Sequence, residues 1–574
     1  MINPARLSLN LLACISLLPG ITVAAAAESG AGDVVLDALS GEIDRAMKAL
    51  ANNDAAPYFI SAEMTDSQSV RITGEAGGLH GYSPHHQRWL DIDLRIGGRK
   101  LDSSHALRNT TERRRSSGRR MPLADDADLI RRAAWLEIDR RYQTARERWA
   151  KVEAETTVLV EEEPAEDLAE VAPARSIDKP ATLAFEPRRW EEVVKAASKV
   201  FAENELLLEG TVTFAGDVET HWFVSSEGTR VRHGGSRYRL DMTAQSVAWD
   251  GEVLRMHEAY DSHDADGLPD HDTILAGARL LVSRLLELRT APDEEPYTGP
   301  AILSDRAAAV FFHEILGHRI EGHRLKQINN AQTFRNRVGQ AILPPFLTVY
   351  DDPTLESSAG TDLRGHYAFD NQGVPAERVL LVENGTLRRF LQSRSPVARR
   401  DRPNGHGRRA TGADAVSRQG NLLVVASESV SNEELRAGLI ELAKTNGQRY
   451  ALYIDDIQGG FTLTERTIPN AFNINALRSY RVYVDGRPDE LVRGIDLIGT
   501  PLEAFGKIRR AGELRRVFNG TCGAESGWVP VSALAPALLL ESVETQRKRK
   551  DQVIPPILPA PVPGGAEPAL GTAE

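Results

Sequence analysis

The segment Phe311-Phe312-His313-Glu314-Ile315-Leu316-Gly317-His318 places two imidazoles and a carboxylate in one short, largely apolar run. Ser304 precedes this segment and suits the N-cap position of a helix that begins directly after it. Before Ser304, the residues Gly299-Pro300-Ala301-Ile302-Leu303 predict a short strand. The C-terminal half of the chain is therefore expected to contain a strand followed by a helix that carries His313 and His318.

The spacing of the two histidines is unusual for a shared metal site. His313 and His318 lie five positions apart, whereas the common pattern His-Glu-x-x-His places them four apart on one helix face. Five residues turn a regular α-helix by roughly 140°, so the two side chains would diverge. Either a π-bulge or a bend at Gly317 would bring them together. We therefore predict a distortion between His313 and His318, and a straight helix through Gly317 would count against shared ligation.

The residue types around this helix suit zinc chemistry. Zinc prefers imidazole and thiolate ligands, and a catalytic site uses three protein ligands and leaves a fourth position for water. Glu314 is then a candidate for the carboxylate that accepts a proton and passes it on. His323 is a competing ligand, and Glu321 is either an orienting group or a surface charge. Two helical histidines without a metal are the alternative that this segment alone leaves open.

The chain contains two cysteines, Cys14 and Cys522. If the N-terminus is removed on export, Cys522 is an unpaired thiol in an oxidising compartment, where it is open to oxidation unless it is buried or bound. Binding of a metal would protect it. A buried and chemically inert cysteine is the alternative.

The N-terminus has the pattern of an export signal. Arg6 is the only charged residue in the first 27, and an apolar stretch ends in Ala24-Ala25-Ala26-Ala27. The helix-breaking pair Pro19-Gly20 disfavours a stable transmembrane span. We expect residues 1–27 to be a signal peptide and the protein to be exported to the periplasm. The residues Leu11-Leu12-Ala13-Cys14 also resemble a lipoprotein cleavage site, so anchoring through Cys14 is the alternative.

Composition and charge are those of a globular chain of several units. The 574 residues are 41% hydrophobic and 26% charged, and a prior of ~150 residues per domain suggests two to four units. The net charge of -12 argues against nucleic acid as a partner, because phosphate binding requires a basic surface.

The order of predicted elements indicates an α+β fold. Residues 28–296 are expected to form an N-terminal α/β domain with an antiparallel sheet, interrupted by an insertion at about 103–185. A helix at about 125–152 should bury one stripe, which comprises Trp135, Ile138, Tyr142, Ala145 and Trp149. Residues 297–550 are expected to form a mostly antiparallel-β C-terminal domain that carries the metal-binding helix. The tail 551–574 should be disordered.

A series of short motifs from Gly299 onward resembles the TldD/PmbA family of peptidases. The motifs that recur in the order of that family are Gly299 to Leu303, His313 to His318 with Glu321-Gly322, Tyr350-Asp351-Asp352-Pro353, Tyr367 to Pro375, Val382 to Gly385, Asn404 to Arg409, Asp456 to Gly460, Val492-Arg493-Gly494, Asn519-Gly520-Thr521-Cys522-Gly523 and Trp528 to Val531. They cover about 250 residues and are specific in combination.

The resemblance implies a site and an activity. It implies that His313, His318 and Cys522 bind zinc and that Glu314 is the catalytic base of a peptidase domain over residues 297–550. It also implies a homodimer, or a heterodimer with a related subunit, whose enclosed cavity admits flexible peptides. The chain departs from the family in its export signal, its insertion at about 103–185 and its His323.

The sequence is therefore compatible with three functions. The first is a zinc-dependent endopeptidase that hydrolyses flexible or unfolded peptides inside a dimer cavity. The second is a non-catalytic, peptide-binding partner subunit. The third is a zinc hydrolase that acts on another type of bond.

Overall fold

A computed structural model describes residues 33–107, 118–156, 165–326, 333–397, 402–462, 471–513, 516–549 and 553. The predicted signal peptide, Cys14, parts of the predicted insertion and nearly all of the predicted disordered tail lie outside these ranges. Within them, no helix combines the length and the apolar character needed to cross a membrane.

The N-terminal half is built on one large sheet. Its helices are Val34–Leu50 (α1), Ala127–Thr156 (α2), Pro187–Ala202 (α3) and His271–Thr290 (α4), with a short 3-10 helix at Ala265–Gly267. Its strands are Pro57–Glu75 (β1), Gly78–Gly98 (β2), Leu101–Asp102 (β3), Arg119–Met121 (β4), Arg175–Ile177 (β5), Leu207–Ser225 (β6), Arg230–Val247 (β7) and Val253–Ser262 (β8). The sheet has the order β3-β2-β1-β6-β7-β5, with β4 paired to β2 and β8 paired to β7.

Alternating apolar residues on the strands pack one face of this sheet against the helices. Leu90, Ile92, Leu94 and Ile96 of β2 are buried in a cluster with α1 and α2. Helices α3 and α4 bury a second cluster on strands β6, β7 and β8. Every pairing in the sheet is antiparallel except that of β5 with β7, which is parallel.

One part of the predicted helical stripe is wrong. Ile138, Tyr142 and Ala145 are buried as expected, but the Trp135 side chain is 46% exposed. The buried face at that turn is supplied by Ile130 and Ala134, so Trp135 lies beside the packed stripe and faces solvent.

The C-terminal half contains two large sheets and two small two-stranded sheets. Its helices are Asp305–Ile315 (α5), His323–Lys326 (α6), Asn432–Thr445 (α7) and Pro501–Gly506 (α8), with a 3-10 helix at Gly317–Arg319. Its strands are Thr298–Leu303 (β9), Leu347–Asp351 (β10), Ser357–Ser358 (β11), Thr361–Asp362 (β12), Val379–Glu383 (β13), Thr386–Leu387 (β14), Gly407–Arg408 (β15), Val416–Ser417 (β16), Asn421–Ala426 (β17), Tyr450–Thr462 (β18), Phe472–Tyr483 (β19), Glu490–Val492 (β20), Ile495–Gly499 (β21), Ile508–Ala511 (β22), Val517–Ala524 (β23), Gly527–Leu534 (β24) and Leu538–Arg547 (β25).

Helix α5 lies between the two large sheets. One sheet has the order β18-β9-β25-β21-β19-β20, with β22 paired to β25, and the other has the order β14-β13-β10-β17-β24-β23. Helix α5 contacts β9, β18 and β19 of the first sheet and β17, β23 and β24 of the second. Most of the pairings are antiparallel, while β9 with β18 and β17 with β24 are parallel. The predicted α+β class is confirmed, and the division of the chain near residue 296 stays a prediction.

The carboxylate of Glu63 on β1 joins the two halves. Its Oε1 accepts a hydrogen bond from Asn371 Nδ2 at 2.9 Å, and its Oε2 accepts one from Arg409 Nη2. Within the N-terminal sheet, His221 Nδ1 lies 2.9 Å from the same Oε1, and His221 Nε2 lies 3.8 Å from Oε2 of Glu219. His221 therefore sits between two carboxylates at the contact between the halves.

The surroundings of His221 and of the neighbouring His233 shift the pKa values of both rings. Burial opposes the charged ring, but hydrogen bonds to Glu219 and Glu63 and their charges raise the pKa of His221 to about 9. The ring of His233 stacks on that of His221 with centroids 5.1 Å apart, and burial together with the charge of His221 lowers the pKa of His233 to about 3. The folded protein thus holds a proton on His221 at neutral pH.

We expect this proton to make stability depend on alkaline pH. A raised folded pKa stabilises the protein fully below the unfolded value of about 6.5, and the contribution is lost as pH rises through about 9. Between pH 7 and 9.5, the free energy of unfolding should fall by on the order of 2 kcal/mol more in the wild type than in His221→Gln. His233 is largely neutral in both states over that range. Denaturant titrations at several pH values measure this difference.

The surface variant His271→Gln is the matched control, because His271 is an exposed histidine at the start of α4. It should keep the wild-type dependence on pH. Equal slopes for the wild type and His221→Gln would show that the proton on His221 contributes nothing to folding.

Candidate metal centre

Helix α5 is fixed at its N-terminus by Ser304. The Oγ of Ser304 accepts a hydrogen bond from the backbone nitrogen of Ala307 at 3.2 Å and donates one to the carbonyl of Asp455 at 2.7 Å. This is the N-cap predicted from the sequence, and it also ties the helix to β18. All residues of α5 except Arg306 are buried, which follows from its position between two sheets.

Two phenylalanines set the rotation of α5. The ring of Phe312 stacks on that of Phe505 with centroids 5.9 Å apart, and the ring of Phe311 meets that of Phe472 edge-on at 6.0 Å. Aromatic contacts of this kind add to the energy of apolar burial and favour one packing arrangement. His313 and Glu314 follow directly, so their directions are fixed by packing on the preceding turn.

The helix does not continue to His318. It ends at Ile315, and a 3-10 helix then runs over Gly317–Arg319. Arg319 Nη1 donates to the carbonyls of Glu314 and Ile315 at 3.1 and 3.0 Å, which satisfies acceptors left free at the end of the helix. The predicted distortion between His313 and His318 is confirmed, and it is a change of helix type at Gly317 with no π-bulge.

Position 317 requires glycine because the side chain of Gln419 lies too close to leave room for a Cβ. A Cβ at this position would lie 1.9 Å from Oε1 of Gln419, a residue that is 1% exposed. The amide of Gln419 in turn donates to the carbonyl of His313 at a distance of 3.4 Å. The absence of a side chain at Gly317 therefore lets the turn pass over Gln419.

We expect Gly317→Ala to lower the free energy of unfolding by about 1–3 kcal/mol, the usual cost of overpacking a core, and to weaken metal binding. Gly41→Ala is the control, because a Cβ at Gly41 on α1 would meet nothing within 4 Å. That control should stabilise the protein by about 0.5–1 kcal/mol. The double variant Gly317→Ala with Gln419→Ala should recover metal binding. Denaturant unfolding and metal titration measure both effects, and a harmless Gly317→Ala would contradict the close packing.

The structure brings His313, His318 and Cys522 together. Potential ligand atoms of the three residues lie within 4.8 Å of one another, and all three side chains are buried. His318 Nε2 lies 3.4 Å from the sulfur of Cys522, and the two imidazole centroids are 5.1 Å apart. Cys522 is supplied by β23, where it pairs with Val529 on β24. Two helical segments and a strand 204 positions from His318 thus meet at one point.

Neither His323 nor Glu321 belongs to this group of three potential ligands. The Nε2 atom of His323 is 3.5 Å from Oε2 of Glu525, so this histidine faces a carboxylate. Glu321 is completely buried, and its Oε2 lies 3.3 Å from Nδ1 of His318. Its interpretation as a surface charge is therefore wrong, and its interpretation as an orienting group agrees with the geometry.

The three candidate ligands perturb one another strongly. Burial opposes a thiolate, but the adjacent imidazoles of His318 and His313 hold the pKa of Cys522 well below its usual range. Burial also opposes an imidazolium, but the charges of Cys522 and Glu321 raise the pKa of His318 to about 10. The cluster therefore favours a thiolate, which is the form of cysteine that binds metals.

Glu314 borders the cluster on one side. Its Oε2 is 3.8 Å from Nε2 of His318, and the side chain is buried. A Cβ at Gly460 of β18 would lie 3.1 Å from Cγ of Glu314, so β18 passes close to this side chain. The carboxylate of Glu314 is therefore close enough to His318 for a single water molecule to connect it to a metal held by the candidate ligands.

The residues present fit a zinc ion. Two imidazoles and a thiolate are the donor types that zinc prefers. Nδ1 of His313 is buried and makes no hydrogen bond to any described residue. Among the described residues, one other group could hold a cation, which comprises Asp250, Glu252 and Asp293. The guanidinium of Arg493 contacts all three carboxylates, so this second group already has a positive charge.

Sequence reasoning missed the residues that surround these ligands. Arg418 and Arg324 both donate to Glu321, and Gln419 supports the turn at Gly317. An isolated arginine or glutamine in a polar stretch has no local pattern that distinguishes it from a solvated residue. These residues can be identified only from the folded structure.

The sequence matches the family described as "PmbA/TldA metallopeptidase C-terminal domain" over residues 296–547. The "Metalloprotease" of Methanothermobacter thermautotrophicus is 26% identical over 328 residues, which are 57% of this chain and 67% of the relative. The "Metalloprotease TldD homolog" of Haemophilus influenzae is 25% identical over 251 residues, 42% of this chain and 47% of the relative. The "Zinc metalloprotease TldD homolog" of Saccharolobus solfataricus is 22% identical over 368 residues, 62% and 76% respectively.

These alignments span from about half to three quarters of the relatives. Among solved structures, TldE from Thermococcus kodakarensis has a TM-score of 0.60 at 14% identity, covering 89% of this chain and 100% of that one. A "putative modulator of a DNA gyrase" from Thermotoga maritima has a TM-score of 0.59 at 14% identity, covering 88% and 99%. At such low identity, these similarities show the fold alone. The family model therefore matches residues 296–547, which are less than half of the chain and are similar to the PmbA/TldA metallopeptidase C-terminal domain.

Proposed function

We propose that the protein is a zinc-dependent endopeptidase that hydrolyses flexible or unfolded peptides inside the cavity of a dimer. His313, His318 and Cys522 are the proposed zinc ligands, and Glu314 is the proposed catalytic base. The observation that carries the proposal is the convergence of the three candidate ligands within 4.8 Å beside a buried carboxylate. The metalloprotease names of the relatives support the same reaction class.

The ligand set suits catalysis by its charge. Two neutral imidazoles and one thiolate would leave a zinc ion with a net charge of about +1. Zinc held there would supply Lewis acidity, polarising a peptide carbonyl and making a water easier to deprotonate. Burial of His313, His318 and Cys522 excludes bulk solvent from the ligand atoms and strengthens electrostatic interactions among them.

The position of Glu314 supports its proposed role in moving a proton. Its Oε2 would accept a proton from the attacking water and later deliver it to the nitrogen of the leaving amine. The carboxylate follows His313 directly on α5, and packing between the helix and β18 holds it in place.

The proposed assembly and location complete this function. We propose a homodimer, or a heterodimer with a related subunit, in which the site faces an enclosed cavity. Such a cavity would admit extended peptides and exclude folded proteins. We further propose export to the periplasm directed by residues 1–27. Cell fractionation of the full chain with and without these residues tests export, and retention of both forms in the cytoplasm would contradict it.

The activity is tested with the purified full chain by metal analysis and peptide digestion. We expect about one zinc per chain and cleavage of an unfolded casein substrate but not of a folded globular protein. A chelator should stop cleavage, and added zinc should restore it. A chain that binds peptides without turnover would be a non-catalytic partner, and cleavage confined to esters or cell-wall peptides would indicate another hydrolase. Either outcome would overturn the proposed endopeptidase.

A further inference from the structure

We infer that Arg418 and Glu321 form a buried positioning pair that aligns the ligand from the helix end with the ligand from the strand. This inference rests on the proposed zinc site. Neither side chain is proposed to touch the metal or the substrate. Both act through the ligands that they hold.

Arg418 contacts the strand that carries the thiol. It is completely buried, and its Nη2 donates to the backbone carbonyl of Cys522 at 2.7 Å. Its Nη1 donates to Oγ of Ser526 at 2.9 Å and to the carbonyl of Gly527 at 3.0 Å. One guanidinium therefore holds both the end of β23 and the turn that leads into β24.

The same guanidinium contacts the group that orients His318. Nε of Arg418 donates to Oε1 of Glu321 at 3.2 Å. The other oxygen of Glu321, Oε2, lies 3.3 Å from Nδ1 of His318 and accepts from Nε of Arg324 at 2.9 Å. A contact to Nδ1 leaves the Nε2 atom of His318 directed toward Cys522, at 3.4 Å from the sulfur.

Charge explains why these groups occur together. Glu321 and Arg418 are both fully buried, and each would be costly to bury without the other. Arg324 brings a second positive charge, which Glu525 balances through a contact of 2.5 Å. The charges of Glu321, Arg418, Arg324 and Glu525 therefore sum to zero.

The geometry also explains why arginine is needed at position 418. Its three nitrogens serve four acceptors on Glu321, Cys522, Ser526 and Gly527, in the planar fork that only arginine provides. A lysine has a single nitrogen and could not satisfy Glu321 and the Cys522 carbonyl in the same way. Loss of the fork should let the imidazole of His318 and the strand of Cys522 move independently.

The test compares Arg418→Lys with a charge-neutral double variant, Glu321→Gln with Arg418→Met, in the full chain. The double variant removes both buried charges, so it keeps the test valid if the single variant folds poorly. The control is Arg394→Lys. Arg394 is also buried and also bridges a carboxylate, Glu227, and a backbone carbonyl, that of Ala169, but it lies outside the candidate site.

The measurements are zinc affinity by chelator competition, the thiolate charge-transfer band of the cobalt-substituted protein, and the melting temperature of the metal-free protein. Both Arg418 variants should bind zinc about 10–100-fold more weakly than the wild type, as is usual when groups that orient ligands are removed. The cobalt–thiolate band should weaken or shift. Arg394→Lys should lower the melting temperature while keeping the wild-type zinc affinity and cobalt spectrum.

Two outcomes would overturn the inference in distinguishable ways. If the wild type binds zinc and both Arg418 variants match Arg394→Lys in affinity and spectrum, the positioning pair is refuted and the proposed zinc site stands. If the wild type itself binds no zinc, the proposed function fails and the inference built on it fails as well.

Discussion

Replacement of Glu314 by glutamine should abolish peptide hydrolysis almost completely while the protein keeps its zinc. General base catalysis typically contributes about 10²–10⁴-fold to a rate, so kcat/KM should fall by that factor. Glutamine has nearly the shape of glutamate but cannot accept the proton of a water. Because Glu314 is not among the three candidate ligands, zinc stoichiometry should stay that of the wild type.

The control for this prediction is Glu294→Gln. Glu294 is also a buried carboxylate, and it accepts hydrogen bonds from Tyr450 and Arg481 of the C-terminal half. This variant should lose stability but keep the activity of its folded fraction. Steady-state kinetics with an unfolded peptide, measured beside zinc content, separates the two effects. Wild-type turnover by Glu314→Gln would remove Glu314 from the mechanism.

Replacement of Cys522 should have the second large effect, on metal binding itself. Cys522→Ala removes the only sulfur ligand of the proposed site and one of three protein ligands. Groups that merely orient a ligand change metal affinity by about 10–100-fold, so the loss of a ligand should exceed about 100-fold. Zinc titration against a competing chelator measures this change, and hydrolysis should fall with the loss of zinc.

The matched control is Val529→Ala, because Val529 pairs with Cys522 and packs in the same buried cluster. It should cost some stability and leave zinc affinity unchanged. An inert buried cysteine makes the opposite prediction. In that case Cys522→Ala and Val529→Ala would both lose stability and both keep zinc.

Local parts of the site could be predicted from the sequence because they depend on neighbouring residues. The cap at Ser304 follows from the hydroxyl that precedes an apolar run. The break at Gly317 follows from the five-residue separation of His313 and His318, which a regular helix does not allow to converge. The structure contains both features.

Contacts between distant segments could not be derived in this way. No local pattern of residues indicates that the strand of Cys522 lies against α5, because that contact depends on the order of strands in the second sheet. Only the resemblance to a family suggested it. Arg418 was missed for the same reason, since its partners come from three separate segments of the chain.

The length of a strand and the buried face of a helix also depend on contacts between distant segments. Strand β1 runs over 19 residues, because it pairs along most of its length with β2 and β6. Pairing on both edges stabilises polar residues between the apolar runs that would otherwise indicate a break. In α2, Trp135 fits the spacing of the stripe but not the position of the neighbouring elements.

X-ray absorption spectroscopy at the zinc edge, on the zinc-loaded full chain, tests most directly whether His313, His318 and Cys522 meet at one ion. We expect one sulfur at about 2.3 Å and two imidazole nitrogens at about 2.0–2.1 Å from the zinc. The sulfur signal should disappear in Cys522→Ala. A zinc shell without sulfur in the wild type, or one with the same sulfur signal in that variant, would contradict the proposed site.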